Sequence, residues 1–204
     1  MSASALSELT QDRVLELLRR EDALLEGHFL LSSGLRSDRY VQCALALCQP
    51  PVADELARGL AAQLKARGHE FDVVVGPAMG AVVWAQEMGR ALGTRALFTE
   101  RVDGEMALRR GFRIEKGERV LVVEDVVTTG KSAKEVIRLL QSMGAEVVAV
   151  GSIVNRSGGN PFGDVGLELE SLVRVDARTW SAEETPEEFA GTEPVKPGSR
   201  PGLS

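Results

Sequence analysis

Apolar residues recur along this chain at two periods, and their alternation sets the fold to expect. Leu6, Leu9, Val14, Leu17 and Leu18 fall near a helical repeat, which predicts an amphipathic helix over residues 5–20. Val52, Leu56, Leu60 and Leu64 recur every four positions beside Ala53 and Ala57, a second helix that Gly68 ends. Helical spacing returns over residues 81–92, ending near Gly93, and again through Ala133, Val136, Ile137 and Leu140, ending at Gly144. Between these lie short runs rich in β-branched residues, at 72–75, 95–98, 120–123 and 147–154. A run with apolar residues at successive positions is a strand covered on both faces, as in a parallel sheet. Strand and helix alternate, so the expected fold is α/β, a doubly wound, mostly parallel sheet with right-handed crossovers.

Three segments fall outside that alternation. Gly27-His28-Phe29-Leu30-Leu31-Ser32-Ser33-Gly34 and Ser37-Asp38-Arg39-Tyr40-Val41-Gln42 form two strand-like runs around a glycine-bearing turn, and Pro50-Pro51 follows. Residues 1–50 are therefore an N-terminal helix and small hood ahead of a core at 51–180. Residues 99–112 interrupt the core with Asp103-Gly104, a strong hairpin turn. Arg101 lies on one side of that turn, with Arg109 and Arg110 on the other. This is a projecting β-arm suited to closing on a polyanion. Residues 181–204 turn acidic and then Pro/Gly-rich, an irregular tail packed on the surface or partly disordered. The 204 residues together make one domain.

Composition narrows the function classes. The chain is 44% hydrophobic and 26% charged, with a net charge of −6, which counts against a general nucleic-acid binder. Cys43 and Cys48, the two cysteines, have no histidine or CxxC partner at metal-ligand spacing. The apolar stretch at 73–85 is broken by Gly76-Pro77 and too short to cross a bilayer. No signal sequence opens the chain, so a soluble cytoplasmic protein is expected, with no membrane or nucleic-acid partner.

The chemistry concentrates in residues 120–132. Four apolar residues lead into Glu124 and Asp125, then Val126 and Val127, then Thr128-Thr129-Gly130-Lys131-Ser132 at the start of a helix. A helix N-terminus has unpaired N–H groups and a partial positive charge, so a phosphate settles there. The hydroxyls of Thr128, Thr129 and Ser132 add donors, and Gly130 lets the backbone approach. Carboxylates repel phosphate but suit sugar hydroxyls. Gly130-Lys131-Ser132 looks like the end of a Walker A loop, yet that motif needs glycine where Asp125 stands. The plainer alternative, an acid or threonine that only caps a helix, needs less than this string supplies. Open parallel sheets bind ligands at the carboxyl ends of their strands. Three polar segments are placed there, at 76–80, at 124–132 and at Asn155-Arg156-Ser157-Gly158-Gly159.

The segment Val-Leu-Val-Val-Glu-Asp-Val-Val-Thr-Thr-Gly-Lys-Ser resembles the phosphoribosyl-diphosphate (PRPP) signature of type I phosphoribosyltransferases. Within that group the chain is similar to the orotate phosphoribosyltransferases. The hood segment, Gly76-Pro77-Ala78-Met79-Gly80, the arm, Asn155-Arg156 and the C-terminal Val195-Lys196-Pro197-Gly198-Ser199-Arg200 carry the likeness. It implies transfer of ribose 5-phosphate from PRPP to N1 of orotate with Mg²⁺, through an oxocarbenium-like transition state, in pyrimidine biosynthesis. It places Glu124 and Asp125 on the ribose hydroxyls and residues 128–132 (Thr128, Thr129, Gly130, Lys131, Ser132) around the 5′-phosphate, with Val126 and Val127 also among the PRPP-binding residues. Met79 and Gly80 then meet the diphosphate, and Arg101, Arg109 and Arg110 close over it. Thr128, Arg156 and Tyr40 face orotate, Mg²⁺ is held mainly by PRPP rather than by protein ligands, and Arg101 joins the two acids as catalytic. The resemblance also implies a homodimer in which the arm reaches the neighbouring site. The chain departs from the family's pattern in its loop cations, which are arginines without Lys or His, and in Ser32 and Gly80, where Lys is frequent. Residues 179–197 hold no cysteine. The signature itself does not choose the base, so a uracil or purine enzyme, or a PRPP-sensing regulator, remains the alternative.

Overall fold

The computed structural model describes residues 9–197. Helix α1 spans Gln11–Arg20, with the Thr10 hydroxyl accepting the Arg13 N–H at 3.3 Å as its cap. The first four residues of the helix expected over 5–20 lie outside the described residues. Val14, Leu17 and Leu18 are its buried stripe. Strands β1 (Leu24–Leu30) and β2 (Arg36–Val41) pair antiparallel as the hood. After the short α2 (Ala44–Leu47) comes α3 (Pro50–Ala66), with proline in its first turn. Then follow β3 (Val73–Pro77), α4 (Ala81–Leu92), β4 (Arg95–Val102), β5 (Glu105–Leu108), β6 (Arg119–Val127), α5 (Lys131–Ser142) and β7 (Glu146–Asn155). With β8 (Leu169–Arg174), the order across the main sheet is β5-β4-β3-β6-β7-β8, parallel except for the β4–β5 hairpin.

The apolar runs work as parallel-sheet strands because their alternate residues serve different layers. Val74, Leu121 and Val123 join one core with α1, α3 and α4, around Leu56, Leu60 and Trp84. Val73, Val75, Val120 and Val122 join the other, under α5, with Ile137 and Leu140. In β6 this two-sided apolar run ends at Val123, and the next two residues are the acids, still paired with β7.

Two strands were not expected from the hydrophobic pattern. β8 (Leu169–Arg174) adds to β7, and β9 (Thr179–Trp180) crosses to the hood and pairs with β2. β8 sets two polar residues, Glu170 and Ser171, between Leu169 and Leu172, so it shows neither strict alternation nor a continuous apolar run, which hid it. β9 has two residues, too few for any periodicity. The arm hairpin is present, with Asp103 and Gly104 both at positive φ and β4 continuing through Arg101 to Val102. The described part of the tail makes two short 3₁₀ turns and returns to the hood. Val195 bonds Leu30 and His28 through its backbone at 2.8 Å. Phe189 stacks on Trp180, and both rings lie near His28.

Candidate active site

Strand β6 delivers Glu124 and Asp125 to the carboxyl edge of the sheet, and the chain then turns into α5. Gly130 makes that turn at φ 70°, and a Cβ there would stand 2.9 Å from the Phe162 ring. Only glycine satisfies both demands. Glu124 accepts the Ala133 N–H in the first turn of α5, and the Thr129 hydroxyl accepts the Lys131 N–H at 3.4 Å. The acid thus partly caps the helix and stands beside its anion-binding end.

A cavity of about 240 Å³ opens at this edge. Glu124, Asp125, Val126 and residues 128–132 line it from one side, and Pro77, Ala78, Gly80 and Ala81 from the other. The second wall comes from β3, through the cis peptide Ala78–Met79, into α4. A Cβ on Gly80 would lie 3.1 Å from Asp125 Oδ1, so the glycine lets the two loops meet closely. Larger depressions of about 510 and 1000 Å³ lie elsewhere. One is at the opposite end of the strands by Arg119, and the other is between α1 and α3. The acids lining them are neutralised, Glu70 by Arg119, Glu55 by Arg13 and Asp54 by Arg58, so size does not mark the site here.

Burial pushes the Glu124 carboxyl up to about 7, with the neighbouring Asp125 charge adding to it. Burial also raises Asp125, although the Val126 N–H opposes this. Neither acid has an ion-pair partner among the described residues. A buried carboxylate pair without a counter-charge suits hydroxyls or a cation. Among the described residues no group of three or more His, Cys, Asp or Glu could hold a metal. Two carboxylates beside a phosphate cradle still fit Mg²⁺ that is held mostly by a ligand's own oxygens.

The remaining candidates are more widely placed and do not line the cavity. Val127 is buried beneath it, and Met79 projects from its rim with 83% of its surface exposed. Arg156 follows β7, its N–H bonded to Val127 O at 2.8 Å, so it is tied to the acid-bearing strand. Its side chain is half-buried, and its Nε is buried without a partner among the described residues. Burial lowers its pKa, against the opposing charge of Asp38. Tyr40 stays in the hood, where its hydroxyl bonds Gln42 at 3.2 Å and its ring faces Phe29. The arm arginines do not line the cavity. Arg101 is ion-paired to Glu135 on α5 and donates to Gly104 O, and Arg110 pairs with Glu100 and lies over Phe98. Sequence reasoning had not singled out Glu135, Asp38 as a charge facing Arg156, or Cys43, whose buried thiol donates to Asp125 O at 3.8 Å. Only Asp38 left a trace, beside Tyr40 in the hood segment.

The model of the phosphoribosyl transferase domain matches residues 49–164. The orotate phosphoribosyltransferase of Caldanaerobacter subterraneus subsp. tengcongensis is 50% identical over 192 residues, 94% of this chain and 99% of that protein. The chain belongs to the orotate phosphoribosyltransferase family. The enzyme of that name from Sphingopyxis alaskensis is 49% identical and covers 94% of the chain. Among solved structures, the Mycobacterium tuberculosis orotate phosphoribosyltransferase in complex with PRPP is 30% identical, with a TM-score of 0.62. That match covers 80% of this chain and 95% of the other. The family's type I phosphoribosyltransferase fold, a mostly parallel sheet flanked by helices, is the one expected from the strand-helix alternation. No described helix is long and apolar enough to cross a membrane.

Proposed function

We propose that the protein transfers ribose 5-phosphate from PRPP to N1 of orotate, releasing diphosphate and forming orotidine 5′-phosphate for UMP synthesis in the cytoplasm. The observation that carries this is the cavity where an unpaired acid pair meets the N-terminus of α5. Glu124 and Asp125 take the ribose hydroxyls, and residues 128–132 receive the 5′-phosphate. The backbone at Met79 and Gly80 faces the diphosphate. Thr128, Arg156 and Tyr40 hold the base, with the Arg156 guanidinium forking onto the orotate carboxylate.

Bound with PRPP, Mg²⁺ would sit against Glu124 and Asp125 and neutralise the departing diphosphate. The chain's own work is to hold the sugar by its hydroxyls while the bond from C1 to diphosphate breaks and the bond to N1 forms. The carboxylates' negative charge favours the positive character that develops on the ribose. The arm excludes water, which would otherwise hydrolyse PRPP. Arg101 exchanges Glu135 for the diphosphate as the arm closes, with Arg109 and Arg110 beside it. The exchange is easy because an exposed ion pair is worth only about 0–1 kcal/mol. The protein works as a homodimer whose arms serve neighbouring sites.

The test is orotate absorbance in a mixture of protein, PRPP and Mg²⁺. It falls with the parent protein and stays flat with Asp125→Asn at unchanged melting temperature. Equal rates in the two would remove Asp125 from the sugar site.

A further inference from the structure

Asp38 and Arg178 are joined three times. Asp38 Oδ1 accepts the Arg178 backbone N–H at 2.8 Å, Oδ2 accepts Nε at 2.9 Å, and the Asp38 N–H donates to Arg178 O at 3.3 Å. The register of β2 against β9, Ser37 opposite Thr179, sets the two residues side by side. The Arg178 guanidinium also donates to Glu188 in the tail, at 2.5 Å. The Asp38 side chain is 17% exposed, so both its oxygens are largely withdrawn from water and taken by one residue. The Val175 N–H donates to Asn155 O at 3.0 Å, which holds the chain three residues before Arg178 next to Arg156. The Asp38 charge acts on Arg156, whose buried Nε has no partner among the described residues. Two carboxylates therefore compete for one guanidinium, that of Asp38 and that of a bound orotate.

We propose that Arg178 is a positioning residue for the base site. By occupying both oxygens of Asp38, it keeps that carboxylate from capturing Arg156 and leaves the guanidinium to the anionic base. The inference rests on Arg156 holding orotate. It assigns a role in base affinity to a residue at the hood-tail junction that contacts no substrate. The plainer role for Arg178 is to tie the tail to the hood. Its side chain is 60% exposed, so the ion pair itself adds little to folding, and Arg178→Gln should fold.

The experiment compares Michaelis constants in five variants of the full chain, each checked by melting temperature. Arg178→Gln frees Asp38 and raises KM for orotate about fivefold, the effect of a partly screened charge interaction near 1 kcal/mol. KM for PRPP and kcat stay within about twofold of the parent. Asp38→Asn in the same chain removes the competitor, and KM for orotate returns to within about twofold. Asp38→Asn alone leaves it unchanged or lower. A double variant as impaired as Arg178→Gln, or equal rises in both Michaelis constants, would overturn the proposal. So would a large rise in KM for orotate with Asp38→Asn alone. Arg178→Lys is the second variant should Arg178→Gln fail to fold. It keeps one contact to Asp38 and gives a smaller rise in KM for orotate, and equal rises for both substrates would again overturn the role. Arg156→Ala separates the two claims. If it leaves KM for orotate unchanged, Arg156 is not the base contact and the proposal falls with it. If it raises that constant while Arg178→Gln does not, only the role of Arg178 is lost.

Discussion

Replacing Glu124 by Gln should make the empty protein more stable above neutral pH while removing activity. Its carboxyl titrates at about 7 in the fold against 4.5 in an unfolded chain. The folded value is raised, so this group's contribution to stability is full below about pH 4.5 and is lost as pH rises through about 7. The rise from 4.5 to about 7, at about 1.36 kcal/mol per pH unit, puts the cost of the ionised carboxylate near 3 kcal/mol. That figure is a ceiling, since the side chain is only partly removed from water. Gln keeps an oxygen to accept the Ala133 N–H and carries no charge, so the helix cap survives. Neutral residue 124 also relieves Asp125, which works in the same direction. The assay is urea unfolding in EDTA without substrates, at about pH 5 and about pH 8.5. The variant should exceed the parent by under about 1 kcal/mol at the lower pH and by up to about 3 kcal/mol at the higher. A variant equal to or less stable than the parent at about pH 8.5 would refute the claim that burial of this charge strains the apo site.

Gly130→Ala places a methyl group 2.9 Å from the Phe162 ring at φ 70°. It should cost about 1–3 kcal/mol by thermal or urea unfolding and weaken PRPP binding by calorimetry, and unchanged affinity would remove the turn from the phosphate site. Leu60→Ala, in the core away from the cavity, should cost about 2–5 kcal/mol with both Michaelis constants unchanged at a permissive temperature. Arg101→Ala mixed with Asp125→Asn should recover activity after subunit exchange if arms serve neighbouring sites. No recovery after verified exchange argues for sites built from one chain.

The core strands at 73–75, 120–123 and 147–154 were legible because a sheet covered on both faces leaves apolar residues at adjacent positions. Residues 124–132 were legible because acid, hydroxyl and glycine follow directly after such a strand. The arm announced itself through Asp103-Gly104. Less local features left no such mark. β8 breaks its apolar residues with Glu170 and Ser171, so neither strand pattern is present, and β9 is too short for any period. The link of Arg178 to Asp38 spans 140 positions and depends on β9 crossing to the hood. The pairing of Arg101 with Glu135 joins an arm to a helix distant in sequence, and no spacing rule reaches across it. Sequence pattern thus reported what neighbours in the chain impose, and the ion pairs that decide where each arginine points came only with the fold.

The most direct test of the central claim is product analysis with a panel of bases. The protein is incubated with PRPP, Mg²⁺ and one of orotate, uracil, adenine or hypoxanthine, and nucleotide and diphosphate are quantified. The account predicts orotidine 5′-phosphate and diphosphate in equal amounts from orotate, and no nucleotide from the other bases. Turnover of uracil or a purine with orotate untouched would contradict it.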